Sequence, residues 1–383
     1  MSVRIRYAVF VALALAPGLF TSQTNPTPRQ FVQPIAPPRN PLPLEQASAR
    51  VTKFAFIAYG DTRGRKDGIE LQYEHGMVVD GILAEIKRLE TTEYPIKFVL
   101  QSGDAVVDGR DANQWNTSFS GLINRITTEG GVPYFLAAGN HDLTNADDPA
   151  SPQRLLGLRN YLQALANLIP PGNSPRRLAE YPTFSFGYGN TFVIGLDSNI
   201  GDDMPQYEWV KTQFEGLDRK RYVNVVVFFH HPVFSSGPHG GSKTEPQSAV
   251  LRARYMPLFR THHVKAVFVG HDHLFEHWVE HFQDNTGRHR MDLVTSGGGG
   301  APLYLYSSEP DLTDYLRANE IAKVEVEHLV KPGPDPGDNP YHFVIVRVDG
   351  DRMDLEVIAV AFDHSWQPYG TNKVQLRDTP RRQ

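Results

Sequence analysis

Short apolar runs alternate with stretches of helical period along most of the chain. The runs "KFAFIAY" (53–59), "IKFVLQS" (96–102), "PYFLAAG" (133–139), "TFVIGLD" (191–197), "VNVVVFF" (223–229) and "VKAVFV" (264–269) have the length and side-chain content of buried strands. Between the first two, Ile69, Met77, Val78, Ile82, Ile86 and Leu89 recur near helical spacing and predict an amphipathic helix over 69–90. Residues 111–129, 151–170, "QYEWVKTQFEGL" and "SAVLRARYMPLFRTHH" predict further helices, the second of them in an insertion rich in Pro and Gly. The end changes character. "DLVTS", "HFVIVRV" and "RMDLEVIAVAF" are strands, the last two joined by "DGD", a hairpin signal. Strands alternating with helices imply βαβ units, and the closing hairpin implies an antiparallel addition. The expected fold is therefore α/β, with a mixed sheet or two stacked sheets between helices.

The strand ends are the informative places, because ligands of open α/β sheets bind beyond the carboxyl ends of the strands. "KFAFIAY" runs into Gly60-Asp61-Thr62-Arg63-Gly64, and "IKFVLQS" into Gly103-Asp104 and then Asp108-Gly109. "PYFLAA" runs into Gly139-Asn140-His141-Asp142, "VNVVVFF" into His230-His231-Pro232, and "VKAVFV" into Gly270-His271-Asp272-His273. One polar strand end is noise. Five carrying carboxylate, amide or imidazole suggest a common focus, and the preceding glycines let backbone turn sharply and leave room for a ligand.

Composition narrows the chemistry. The chain of 383 residues has no cysteine, so disulfides, thiolate ligands and cysteine nucleophiles are excluded. Metals would be held by Asp, Asn and His, a set that suits zinc, iron or manganese. Such ligands can hold two ions that share a carboxylate and clamp a phosphoryl group. A formal charge of −5 without a basic run disfavours nucleic acid as a partner. At the N-terminus, Arg4 and Arg6 precede a mostly apolar stretch from Tyr7 to Phe20, which fits a secretory signal peptide over 1–22. That stretch is short for a span of about 20 apolar residues, so no stable membrane span is expected after its removal, and the protein is expected to be periplasmic or secreted. The proline-dense segment 23–50 reads as a linker or strap, 51–366 as the catalytic domain and 367–383 as a tail.

The ordered motifs resemble the calcineurin-like metallophosphoesterase superfamily, and most closely its purple-acid-phosphatase-like branch. That family shows D-x-H or G-D-x-G, then G-D, then G-N-H-[DE], then a strand ending in His, then G-H-x-H. All five blocks stand here in order between residues 53 and 273, and "VTSGGGGAPL" (294–303) and the hairpin at 342–361 resemble its closing segment. The resemblance implies a four-layer α/β/β/α sandwich of two mixed sheets, the metallo-dependent phosphatase fold, and two metal ions (Fe, Mn or Zn). Asp104 would bridge them, with Asp61 and His273 on the first and Asn140, His230 and His271 on the second. His141 would protonate the leaving oxygen, and Asp142 would orient the His141 ring. The implied reaction is hydrolysis of a small-molecule phosphate monoester by a metal-bound hydroxide. A phosphodiesterase or nucleotidase with the same site, a non-catalytic binding protein on the same fold and a cytosolic phosphatase are the competing readings.

One block departs from the pattern. The family completes its first metal with His two residues after the first Asp, or with Tyr three residues after the bridging Asp; here those positions hold Arg63 and Val107. Neither ligates, and Arg63 is read as a cation that binds a substrate phosphate oxygen. Elsewhere the blander readings stand. His231 is packed against the site, His262 and His263 sit at a helix C-terminus, and Asp108 and Asp272 stabilise loops. "SSGPHGGSKTEPQ" (235–247) rims the pocket, where His239 and Lys243 could reach an anionic substrate.

Overall fold

Alternation along the strands sorts their side chains between two faces, and this sorting stacks the molecule in layers. In the computed structural model, residues 31–143, 150–241 and 243–362 are described, together with the backbone of 366–375. The strands are β1 Lys53–Tyr59, β2 Ile96–Gln101, β3 Tyr134–Leu136, β4 Phe184–Tyr188, β5 Thr191–Gly195, β6 Asn224–Phe228, β7 Ala266–Val269, β8 Phe275–Asp284, β9 Gly287–Ser296, β10 Glu325–Val330, β11 Tyr341–Asp349, β12 Arg352–Val360 and β13 Trp366–Gln375. They form a six-stranded sheet in the order β13-β12-β11-β1-β2-β3 and a seven-stranded sheet in the order β10-β8-β9-β7-β6-β5-β4. β1, β2 and β3 are parallel, as are β5, β6, β7 and β9; the remaining pairs are antiparallel. Both sheets are thus mixed.

The sheets meet face to face. Phe56 of β1 lies edge-on to Phe268 of β7 at 5.8 Å, and Phe98 of β2 edge-on to Phe186 of β4 at 5.2 Å. On β6, Val226 and Phe228 join this inter-sheet core, while Val225 and Val227 face outward. There they pack with Val210 and Phe214 of α5 (Met204–Glu215). α1 (Tyr73–Leu89) and α2 (Ser120–Thr128) cover the other sheet with Met77, Val78, Ile82 and Ile123. The order of layers is helix, sheet, sheet, helix.

Parallel pairing within each sheet brings the carboxyl ends of β1, β2, β3, β6 and β7 to one edge. The loops there are zipped together by backbone bonds: Asp61 N donates to Gly103 O (3.0 Å), Thr62 N to Asp104 O (3.0 Å) and Gly270 N to His230 O (3.0 Å).

Three features depart from the sequence pattern. β4, β8 and β10 were not expected. β8 is hidden because Glu276, His277 and Glu280 are buried in it, and a polar run reads as loop; His277 Nε2 meets Asp292 of β9 at 2.8 Å, a partner supplied inside the sheet. The helix expected over "SAVLRARYMPLFRTHH" is divided into α6 (Pro246–Val250) and α7 (Met256–Thr261) by a wide turn at Leu251–Tyr255, beside Pro257, which has no N–H to continue the ladder. Within the stretch read as a tail, the backbone of β13 pairs with β12.

The strap lies along the molecule from residue 31. Val32 and Ile35 are buried, Gln33 N and Ala36 N donate to the side chains of Asn116 and Asn124 (2.7 Å each), and Ile35 N donates to the carbonyl of Ala164 (2.9 Å), the last residue of α4 (Pro152–Ala164). The signal peptide expected over 1–22 lies outside the described residues. Among the described residues, no helix is long and apolar enough to cross a membrane.

Candidate metal centre

Three of the expected ligands sit in the left-handed region of backbone space: Asp61 (φ 59°), Asp104 (φ 54°) and His271 (φ 69°). Non-glycine residues adopt this conformation at a cost, and only where the surroundings enforce it. Each follows a glycine. At the glycine before His271, and at the one before Asn140, a side chain would collide with the site. A Cβ on Gly139 would lie 2.3 Å from Asp104 N, and one on Gly270 would lie 2.1 Å from an Asp61 carboxylate oxygen. The strained turns aim the side chains of separate strands at one point.

Asp104 stands at the middle. Burial would raise its carboxyl, but the His230 and His141 imidazoles and the Arg63 guanidinium that face it outweigh burial and hold it below the usual carboxylate range. On one side of it are Asn140, His230 and His271. His230 Nε2 is 3.3 Å from Asp104 Oδ1, 2.7 Å from Asn140 Oδ1 and 3.0 Å from His271 Nδ1, which is itself 3.1 Å from Asn140 Oδ1. The other ring nitrogens are used outward. His230 Nδ1 donates to the Ser102 carbonyl (3.0 Å) and His271 Nε2 to Glu245 (2.9 Å). Burial keeps the His230 ring neutral, its pKa lowered to about 3. Its Nε2 therefore carries a lone pair toward three other acceptors. A proton on His271 would satisfy one of these contacts. A cation shared by Asp104, Asn140, His230 and His271 satisfies them all, and the N and O donor set is one that zinc, iron and manganese accept. The residues on this side fit a metal ion.

On the other side are Asp61, His273 and Arg63. Asp61, His273 and Asp104 present ligand atoms within 4.8 Å of one another. His273 Nδ1 donates to the Pro302 carbonyl (2.7 Å), which leaves Nε2 toward the site, 3.6 Å from Asp61 Oδ1. Burial, and then the charge of Asp104, push the Asp61 carboxyl well above its ordinary value. Arg63 stands among these donors, its Nε 3.4 Å from Asp104 Oδ2 and an Nη 3.4 Å from His273 Nε2. The fit to a second ion is poorer here, with three donors and a resident guanidinium.

His141 is the second residue of α3 (Asn140–Leu143), beside these ligands. Its Nδ1 donates to the Val107 carbonyl (2.7 Å), and its Nε2 lies 4.0 Å from Asp104 Oδ2. Asp142 does not take the role expected of it. Its carboxylate accepts from Gly139 N (2.8 Å), Ala105 N (2.8 Å) and Val106 N (3.4 Å), so it ties the second motif loop to the third. The His141 ring is oriented by Val107, whose side chain offers no ligand but whose carbonyl is in reach. His231 is buried and paired with Ser198 (2.9 Å), and Asp272 accepts from Ser235 Oγ (2.6 Å) and His239 N (3.1 Å), which fixes the rim loop.

Two contributors had no signal in the sequence. Glu245 accepts from both His271 Nε2 and His239 Nδ1 (3.0 Å), and Tyr304 stacks on His273 at 4.1 Å. Burial would raise the Glu245 carboxyl, but its bonds to His239 and His271 hold it below the ordinary range. Glu245 lies in a polar, glycine-rich loop, and nothing local in that loop reveals a contact to a ring 26 residues away. A cleft of about 910 Å³ runs outward from Asn140 and His271 past Asn199, His239, Lys243 and Gln247.

Comparison with known proteins agrees with this architecture. The family model for calcineurin-like phosphoesterase matches residues 57–275. The Fe(3+)-Zn(2+) purple acid phosphatase 12 of Arabidopsis thaliana is 26% identical over 170 residues, 43% of this chain and 33% of that protein. Tartrate-resistant acid phosphatase type 5 of Sus scrofa is 27% identical over 232 residues, 57% of this chain and 63% of that protein. The chain thus spans less than two thirds of these relatives. The structure of purple acid phosphatase PPD1 from yellow lupin seeds (Lupinus luteus) superposes with a TM-score of 0.58 at 18% identity, covering 81% of this chain and 52% of that one, a likeness of fold.

Proposed function

Because this chain belongs to the calcineurin-like phosphoesterase family, we propose that it is an exported, metal-dependent phosphohydrolase acting on small-molecule phosphate monoesters. The observation that carries the reading is the convergence of His230 Nε2, His271 Nδ1, Asn140 Oδ1 and Asp104 Oδ1 with their outward nitrogens already bonded. Asp104, Asn140, His230 and His271 would hold a cation, and Asp61, Asp104 and His273 are the donors of the adjoining position. A cation there supplies Lewis acidity toward a phosphoryl oxygen and toward water.

The remaining chemistry belongs to the chain. The Val107 carbonyl holds one proton on His141 Nδ1, so in the imidazolium form the second proton, on Nε2, is the one given to the leaving oxygen. Glu245 and the Ser102 carbonyl hold the two ligand rings in the tautomers that leave the inward nitrogens free. Arg63, fixed beside Asp104, presents a planar fork to a non-bridging phosphate oxygen. With His239 and Lys243 on the cleft, these cations suit the double negative charge of a monoester better than the single charge of a diester. Export rests on Arg4, Arg6 and the apolar run that follows.

The test is turnover of p-nitrophenyl phosphate and bis(p-nitrophenyl) phosphate by protein loaded with zinc or manganese, with Asn140→Ala as control. The monoester is expected to be hydrolysed faster, and the control to be inactive. Equal turnover in Asn140→Ala would remove the metal centre from the reaction, and faster diester cleavage would reassign the substrate. Cell fractionation with the intact mass of the recovered chain tests export.

A further inference from the structure

The two sides of Asp104 are not equally available to a metal ion. On the Asp61 side a cation is already built in. The backbone of Arg63 is pinned to the strand end that carries Asp104, because Thr62 N and Arg63 N both donate to Asp104 O (3.0 and 3.1 Å). From that anchor the side chain turns inward and is 18% exposed. Its Nε is buried, makes no hydrogen bond among the described residues, and lies 3.4 Å from Asp104 Oδ2; charge holds it there. Its other end reaches within 3.4 Å of His273 Nε2, the nitrogen that a metal would need.

A guanidinium is charged at every accessible pH and cannot ligate. A divalent ion on Asp61, Asp104 and His273 would therefore meet a like charge among its own ligands, with no fourth side-chain donor from Val107 to offset it. On the Asn140 side, among the described residues, no cationic side chain lies among the inward-facing donors, and four of them converge. Resting on the phosphohydrolase reading, we propose that the centre takes a single divalent cation, on Asp104, Asn140, His230 and His271, and that the Arg63 guanidinium is the permanent cation of the adjoining position. Arg63 and one divalent ion overbalance the Asp61 and Asp104 carboxylates by a single positive charge, which leaves a net attraction for a phosphate dianion.

Metal counting tests this without reference to turnover. The full chain is stripped with a chelator, dialysed against manganese or zinc, and assayed by mass spectrometry of the metal. One ion per chain is expected in the wild type and in Arg63→Lys, and two in Arg63→His, which replaces the cation with a ligand. Asn140→Ala should lose the single ion and His273→Ala should keep it. Electron paramagnetic resonance of the manganese-loaded wild type needs no variant to fold, and should show isolated Mn²⁺. Two ions or an exchange-coupled pair in the wild type would overturn the proposal and leave the phosphohydrolase standing. So would one ion in folded Arg63→His, or an ion lost by His273→Ala and kept by Asn140→Ala. One bound ion without turnover would instead sink the phosphohydrolase and leave the count intact. No ion in folded wild type would end both.

Discussion

The sides of Asp104 share a construction and differ in what occupies it. Both are made from strand ends that turn sharply through left-handed backbone, at Asp61, Asp104 and His271. Both hold their histidines by an outward bond, from His273 to Pro302 O on one side and from His230 to Ser102 O on the other. On the Asn140 side the inward atoms are all acceptors, and the cation they need must come from outside. On the Asp61 side an arginine from the same loop stands among the acceptors. A chain can thus retain the carboxylates and imidazole of a metal position while placing its own charge among them.

The largest effect should come from the residue common to both sides. Asp104→Asn keeps the size and the left-handed tolerance of the side chain, but removes the charge that Arg63 and the cation share. Phosphatase activity should fall by more than the roughly 10–100-fold that loss of an outer partner costs, together with the loss of bound metal. Asp61→Asn, also tolerated at its backbone angle, should retain the metal. Equal metal loss in the two variants would mean that both sides hold the ion.

Next in size is His141→Ala, which acts on the proton rather than on the metal. Loss of a general acid lowers kcat by about 10²–10⁴-fold. The loss should be greatest for alkyl phosphates, whose leaving oxygen needs a proton, and smaller for p-nitrophenyl phosphate. A loss independent of the leaving group would make His141 a binding residue instead. Asp142→Asn should act differently. It weakens the bonds that Asp142 makes to Gly139, Ala105 and Val106, so it should lower Tm as well as activity.

How much of this could be read from the chain depends on how local each signal is. The strand ends were legible because glycine, ligand and apolar run are contiguous, and parallel pairing does the rest. The four-layer order was legible only through the family resemblance, since the strand pattern by itself fits either one mixed sheet or two stacked ones. β8 was not, since Glu276, His277 and Glu280 find their partners far along the chain, at Ser236, at Asp292 across the sheet and at Arg260 on α7. Asp142 was misread because it follows His141. On a helical turn adjacent side chains point about 100° apart, so adjacency separates them rather than pairing them. Glu245 is the converse case: it is remote in sequence and bonded to the ligand ring.

Glu245→Gln tests the support of the Asn140 side. It removes the carboxylate that holds His271 Nε2–H and leaves the ring freer to turn. Cation affinity should fall about 10–100-fold, read by competition with a chromophoric chelator. Tyr304→Leu, which removes the ring stacked on His273, should leave cation affinity unchanged if the ion sits on the other side. Similar losses in both would place the ion between the two sides.

The smallest effect, and the most direct on the folded state, is thermal. An ion that binds only the native chain stabilises it by RT ln(1 + [L]/Kd), about 2.7 kcal/mol at a free concentration 100-fold above Kd. For a chain of this length that corresponds to a rise of a few degrees in Tm. The sign is fixed: the unfolded chain does not present Asp104, Asn140, His230 and His271 together, so added zinc or manganese must raise Tm and a chelator must lower it. The shift should vanish in Asn140→Ala, because the site is then missing the oxygen that faces both imidazoles. It should persist in His273→Ala, whose lost nitrogen faces Arg63. A shift abolished by His273→Ala alone would put the cation where the guanidinium now stands, and would require Arg63 to move away from Asp104 on loading.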